Sequence, residues 1–139
     1  MLSFFTNREN NYKKVSFEDV QYALRNRNKY IILNTLPTTE QNCIIVGTID
    51  AFTEEKIINE MMLSIHIPDK PIIIYGKHLN DETPYHKYKQ LNNLGIADIM
   101  IYSGGLFEWM LLQDIYGSKE FPTTSKMIDI LKYKPERNL

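Results

Sequence analysis

Hydrophobic positions along the chain fall into two kinds of run. The first kind is short and uninterrupted: Tyr30 to Leu33 (YIIL), Ile72 to Tyr75 (IIIY), and the apolar part of Asp98 to Tyr102 (DIMIY). Runs this short, bounded by polar residues, predict strands buried on both faces. A further strand is expected within CIIVGTIDAF (Cys43 to Phe52), and a short one near Tyr12 to Val15. The second kind recurs at helical spacing. Phe17, Val20 and Leu24 share one helical face, as do Ile57, Ile58, Met61 and Met62. Tyr85, Tyr88, Leu91 and Leu94 form another such stripe, and Met127, Ile130 and Leu131 a last one.

Boundary residues sharpen these elements. Ser16 with Asp19 three positions on predicts a capping box. NTLPTTEQN reads as a loop, with Pro37 blocking a helix through it. Thr53 is expected to cap the helix TEEKIINEMMLS, whose first turn carries Glu54 and Glu55. Pro68 and Pro71 flank a turn. Thr83 is the expected cap of the following helix, Pro84 its first residue, and Gly95 its end. Gly104-Gly105 turns into a helix through LFEWMLLQ, followed by the turn YGS, and a final amphipathic helix is expected through SKMIDILKY. Strands alternating with helices predict an α/β fold: a mainly parallel central sheet of about four to five strands with helices on both faces.

Length and charge narrow the function classes. At 139 residues the chain suits one domain, expected to span 1–139, with its core about 12–123 and a helical extension over 124–139. Sixteen basic residues against seventeen acidic ones give a net charge of −1, without the basic footprint of a dedicated nucleic-acid binder. A single cysteine excludes an internal disulfide and a multi-cysteine metal site. The apolar start of MLSFFTNREN is too short for a signal-peptide core, and GGLFEWMLLQ is too short to span a bilayer and carries Glu108. A cytoplasmic or otherwise intracellular location is expected. The abundance of Lys, Asn and Ile, whose codons are AT-rich, points to an AT-rich genome such as that of some parasites, bacteria or large viruses. A virion- or assembly-associated role belongs among the expectations on that ground.

Candidate chemistry concentrates in IIIYGKHLNDETPYHKY, a strand, a polar loop and a helix start. Lys77 and His78 are candidate anion contacts, set against the common reading of such pairs as solvated surface. Cys43 heads CIIVGT and reads more simply as a small buried hydrophobe. His66 and His86 lack metal-ligand spacing, so no metal or other cofactor is expected. Gly104-Gly105 lacks the Lys-Ser/Thr of a phosphate loop and reads as backbone freedom in a tight turn. Around Trp109, which belongs to the core, Phe107, Met110, Leu111, Leu112, Ile115, Tyr116 and Phe121 exceed what one buried helical face needs. Phe107, Met110, Leu111, Ile115 and Tyr116 are therefore candidates for an interaction surface, with a protein partner or a second copy of the chain as occupant.

Four features, in this order, resemble the rhodanese-like domain family: VSFEDVQYAL, where members often carry Ile-Ser-x-x-x-Leu; YIILNTLP, where an apolar run is followed by Asp-Val-Arg; IIIYG, matching an apolar run followed by Tyr-Cys; and YSGGLFEWM, matching Gly-Gly-apolar-x-x-Trp. The last is the most specific, and together they cover about Tyr12 to Thr123. The resemblance implies that Gly76 stands where the family's nucleophilic cysteine follows the third strand. Asp81, Glu82 and Thr83 then stand where active members usually supply an arginine, and Asn34, Thr35 and Leu36 replace Asp-Val-Arg. A glycine cannot act as a nucleophile, and acids near a helix start repel thiosulfate or phosphate. The expectation is a catalytically degenerate member whose loop, Gly76, Lys77, His78, Leu79, Asn80, Asp81 and Glu82, serves a protein-interaction, regulatory or structural role. The alternative is a sulfurtransferase or thiol-redox enzyme that uses Cys43.

Overall fold

The computed structural model describes residues 11–63 and 70–139. Four strands, β1 (Lys14–Val15), β2 (Ile31–Asn34), β3 (Ile72–Tyr75) and β4 (Ile99–Tyr102), form one sheet in the order β1-β4-β3-β2, every pair parallel. The register sets Ile31 beside Ile72 and Ile72 beside Ile99, through to Asn34, Tyr75 and Tyr102 at the carboxyl end. Each position of β2, β3 and β4 is buried, as the unbroken apolar runs require when helices cover both faces.

The helices are α1 (Phe17–Arg25), α2 (Ala51–Met62), α3 (Thr83–Asn93) and α4 (Gly105–Tyr116). Alternation along the strands divides the core in two. Ile32, Ile73, Tyr75, Met100 and Tyr102 face Val20 and Ala23 of α1 and Leu106, Trp109 and Met110 of α4. Ile31, Leu33, Ile72, Ile74 and Ile99 face Met61 of α2 and Leu91 of α3. The α/β architecture read from the sequence is therefore the observed one. Among the described residues no helix is long and apolar enough to cross a membrane.

Several expectations are corrected. The capping box of α1 is present, with Ser16 and Asp19 bonded reciprocally. The cap of α2, however, is Asp50, which accepts from the Thr53 N–H at 2.7 Å, so Thr53 lies inside the helix it was expected to start. Met62 is exposed, since the α2 stripe narrows to Ile57, Ile58 and Met61. Thr83 is likewise the first helical residue of α3 and Pro84 the second. CIIVGTIDAF holds no strand. Gly47, at φ +96°, breaks the extended run, leaving isolated bridges from Ile45 to Thr123 and from Thr48 to Ile32. In place of a helix over SKMIDILKY there is a 3-10 turn, Ile130–Tyr133. The chain before it is held extended by bonds from Thr124 N to the Ile44 carbonyl and from Val46 N to the Pro122 carbonyl. Tyr133, buried, anchors that segment, while Leu131 is exposed. The first ten residues, His66 and Pro68 lie outside the described residues.

Candidate functional site

Strand β3 lies between β2 and β4, so its carboxyl end opens at the middle of the sheet, where open α/β sheets commonly place their sites. The loop Gly76–Glu82 leaves from there and returns into α3. Its far side is a turn in which the Asp81 N–H donates to the His78 carbonyl at 3.1 Å, and the Asn80 N–H donates to His78 Nδ1 at 3.1 Å. Its near side is held by α4, whose Leu106 and Phe107 N–H groups donate to the carbonyls of Gly76 (3.0 Å) and Lys77 (2.8 Å). Such contact needs a close approach of two backbones. Gly105 permits it: at φ +70° a Cβ there would stand 2.9 Å from His78 N and 3.0 Å from the Gly76 oxygen. The Gly-Gly pair is thus a backbone device, and the paired donors at the start of α4 are spent on the loop.

The turn brings Asp81 back over Gly76. Its Oδ2 accepts from the Lys77 N–H at 2.8 Å; its Oδ1 accepts from the Thr83 N–H at 3.0 Å and the Thr83 hydroxyl at 2.7 Å. The Thr83 hydroxyl lies 2.8 Å from that of Thr35, at the end of β2. A Cβ on residue 76 would fall 2.5 Å from Asp81 Oδ2 and 2.7 Å from Pro84 Cγ. The space that a side chain at position 76 would need is therefore filled by a carboxylate. Burial opposes ionisation of Asp81, but the Lys77 and Thr83 donors outweigh it, aided by nearby His78, and hold its pKa below the usual 3.8.

Around this centre lies a cleft of about 320 Å³ lined by Thr35, Leu36, Pro37, Lys77, His78, Asp81 and Thr83. Lys77, the expected anion contact, points its ammonium at Glu40, 3.3 Å away in the turn after Pro37. Leu79 stands exposed between His78 and Asn80, and Glu82 is exposed where the loop meets α3. Beneath the loop, the Tyr102 hydroxyl donates to Glu108 at 2.6 Å. Burial and the adjoining Glu108 carboxylate push that phenol well above its usual range, so it serves as a neutral donor.

Other candidates fall elsewhere. Cys43 is 1% exposed, packed in the core cluster with Tyr75 and Tyr133, and its thiol donates to the Ser125 carbonyl at 3.2 Å. His86 is exposed on α3. Among the described residues no three His, Cys, Asp or Glu side chains gather as metal ligands. Of the residues expected at an interaction surface, Leu111 (39%), Ile115 (69%) and Tyr116 (65%) are exposed and Phe107 is half-buried. Met110 (1%) is a correction, because it packs into the core with Trp109, and Phe121 (3%), counted among the apolar surplus around that helix, is buried there too. Phe121 meets the Trp109 ring edge-on, with centroids 5.0 Å apart. Sequence reasoning missed the seating of Asp81 over Gly76. Its available signal was Asp-x-Thr before a helix, a pattern in which an Asx side chain bonds the backbone two residues on.

No protein-family model and no curated protein matches the chain. Solved structures share its fold. The full-length protein from Lactobacillus plantarum is 17% identical, with a TM-score of 0.58, over 81% of this chain and 91% of that one. The Alr3790 protein from Anabaena sp. is 19% identical, with a TM-score of 0.58, over 85% of this chain and 97% of its own. A thiosulfate sulfurtransferase from Pseudomonas aeruginosa is 22% identical, with a TM-score of 0.57, over 76% of this chain; the match spans 20% of that enzyme.

Proposed function

We propose that this chain is a non-catalytic rhodanese-like domain acting as a protein-interaction or regulatory module. One observation carries the reading: the Asp81 carboxylate and the Pro84 ring occupy the space where a nucleophile on residue 76 would stand. Sulfur transfer through this loop needs a thiolate there, with N–H donors left to stabilise it. Here the residue is glycine, and the Lys77 and Thr83 donors already hold a carboxylate. The fold shared with a thiosulfate sulfurtransferase supports descent from such a scaffold. Burial of Cys43 weighs against transfer of the chemistry to that thiol.

The surfaces available to a partner are the loop Gly76–Glu82, with Leu79 outermost, and the exposed side of α4 at Leu111, Ile115 and Tyr116. A thiosulfate–cyanide assay tests the reading. Wild-type protein and Cys43→Ser are both expected to form no thiocyanate above the buffer rate. Turnover by the wild type that disappears in Cys43→Ser would overturn the proposal in favour of a cysteine enzyme.

A further inference from the structure

We propose that the cleft between the end of β2, α2 and α3 is a binding site for a small uncharged carboxamide, with the side-chain amide of Asn34 as its recognition group. Asn34 is the last residue of β2 and, at 5% exposure, the buried polar side chain of the core among the described residues. Its Oδ1 accepts from the Leu36 N–H at 3.1 Å. That bond fixes which way the amide faces, because a flipped amide would set two donors against each other. Nδ2 bonds nothing among the described residues. No enclosed side-chain nitrogen or oxygen there lacks a partner, so this nitrogen reaches the open cleft that Asn34 lines. A donor at such depth is costly to leave unpaired, and an acceptor on a ligand relieves that cost.

The cleft holds about 350 Å³, the size of a small-molecule site. It meets the loop cleft at Thr35, Leu36 and Thr83, but Lys77, His78 and Asp81 do not line it. Its ionisable lining is one ion pair and His86, which is exposed at the rim. The pair joins Lys87 of α3 to Glu54 of α2 at 2.8 Å, with side chains 20% and 19% exposed. These two charges cancel, so a charged ligand would lose its water without finding an uncompensated partner. A neutral ligand meets no such penalty. Glu54 Oε1 bonds nothing among the described residues, which leaves an acceptor in the wall as Asn34 Nδ2 leaves a donor. A carboxamide offers both complements, a carbonyl oxygen for Asn34 and an N–H for Glu54. Leu36 and Ala51 supply apolar surface for the rest of the molecule.

The inference goes beyond the interaction-module reading and does not depend on it. Benzamide is the probe, with benzoate and benzamidine as anionic and cationic counterparts of the same shape. Each is titrated into the full chain at pH 8 while NMR follows the side-chain amide of Asn34 and the backbone amide of Ala51. Benzamide is expected to shift both signals saturably, with a Kd of about 10 mM or tighter, as befits so small a ligand. Benzoate and benzamidine are expected to bind the wild type at least about tenfold more weakly. Asn34→Asp keeps the acceptor for the Leu36 N–H and replaces the free donor by a second acceptor. Benzamide should then bind at least about tenfold more weakly. Glu54→Gln leaves the Lys87 charge uncancelled, so benzoate should gain on benzamide; this variant provides the reading if Asn34→Asp does not fold. Asn34 signals that show no saturable shift with benzamide would overturn the inference. So would benzoate binding the wild type as tightly as benzamide, a folded Asn34→Asp that binds benzamide unchanged, or a folded Glu54→Gln in which benzoate does not gain. None of these results touches the thiocyanate assay, so the two proposals fail separately.

Discussion

At the scale of single residues, the pairing of Gly76 with Asp81 makes the loop sensitive to very small changes. Gly76→Ala adds one methyl group where Asp81 Oδ2 and Pro84 Cγ already stand within 2.7 Å. Asp81 must leave, and overpacking of this kind costs about 1–3 kcal/mol. Urea unfolding should show that loss. In Gly76→Ala/Asp81→Ala the loss should be smaller than the sum of the single changes, because one side of the clash is gone. Strict additivity would mean that the two residues do not compete for the same space.

Asp81 also carries a pH signature. Its folded pKa is depressed, so its stabilisation is complete above the unfolded value, near 3.8, and is lost as the pH falls through the lower folded value. Asp81→Asn should therefore be less stable than the wild type near neutral pH, with the gap closing in acid. A gap that stays constant down to about pH 3 would show that the carboxylate charge contributes nothing. Only part of this was legible in the sequence. Asp-x-Thr before a helix signals the bond from Asp81 to the Thr83 N–H, but the turn at His78 that brings Asp81 back to the Lys77 N–H and over Gly76 has no comparable residue pattern.

At the scale of elements, legibility followed burial. The apolar runs in β2, β3 and β4 were recognisable because strands buried on both faces leave no choice of side for a polar residue. Helices with capping residues were legible in kind and less so in extent. Asp50 and Thr53 are both good caps, and only the observed bond from Thr53 N to Asp50 decides between them. The last segment failed for a different reason. Its apolar residues do recur at helical spacing, but main-chain bonds to residues 44–46 and the burial of Tyr133 fix the chain before a helix can form. Such pairing between distant segments leaves no local signal. The start of α4 shows the converse, a short motif with a tertiary purpose. Gly105→Ala would hold a β-carbon at positive φ, costing about 1–2 kcal/mol, and press it on His78. The thermal midpoint should fall, and hydrogen exchange at Leu106 and Phe107 should rise as their bonds to the loop loosen. Unchanged exchange at those two amides would mean that the loop is not held by α4.

For the whole molecule, the question is which surface a partner would use. The sheet gives the loop and the outer side of α4 a common rigid base, since Leu106 and Phe107 bond the loop while Trp109 fixes α4 in the core. Leu79 and Ile115 are exposed side chains, so either can be changed without removing a core contact or a main-chain bond between α4 and the loop. Leu79→Ser removes the exposed apolar side chain of the loop, and Ile115→Ser removes one from α4; at 64% and 69% exposure both should leave stability within about 0.5 kcal/mol of the wild type. If the protein is an interaction module, capture of its partner should depend strongly on one of these side chains, because binding energy concentrates in few apolar anchors. Loss through Leu79→Ser alone would assign recognition to the loop Gly76–Glu82. Loss through Ile115→Ser alone would assign it to α4, with the loop then kept closed by Asp81 for stability. A captured partner unaffected by either substitution would remove both surfaces from consideration and overturn this part of the proposal.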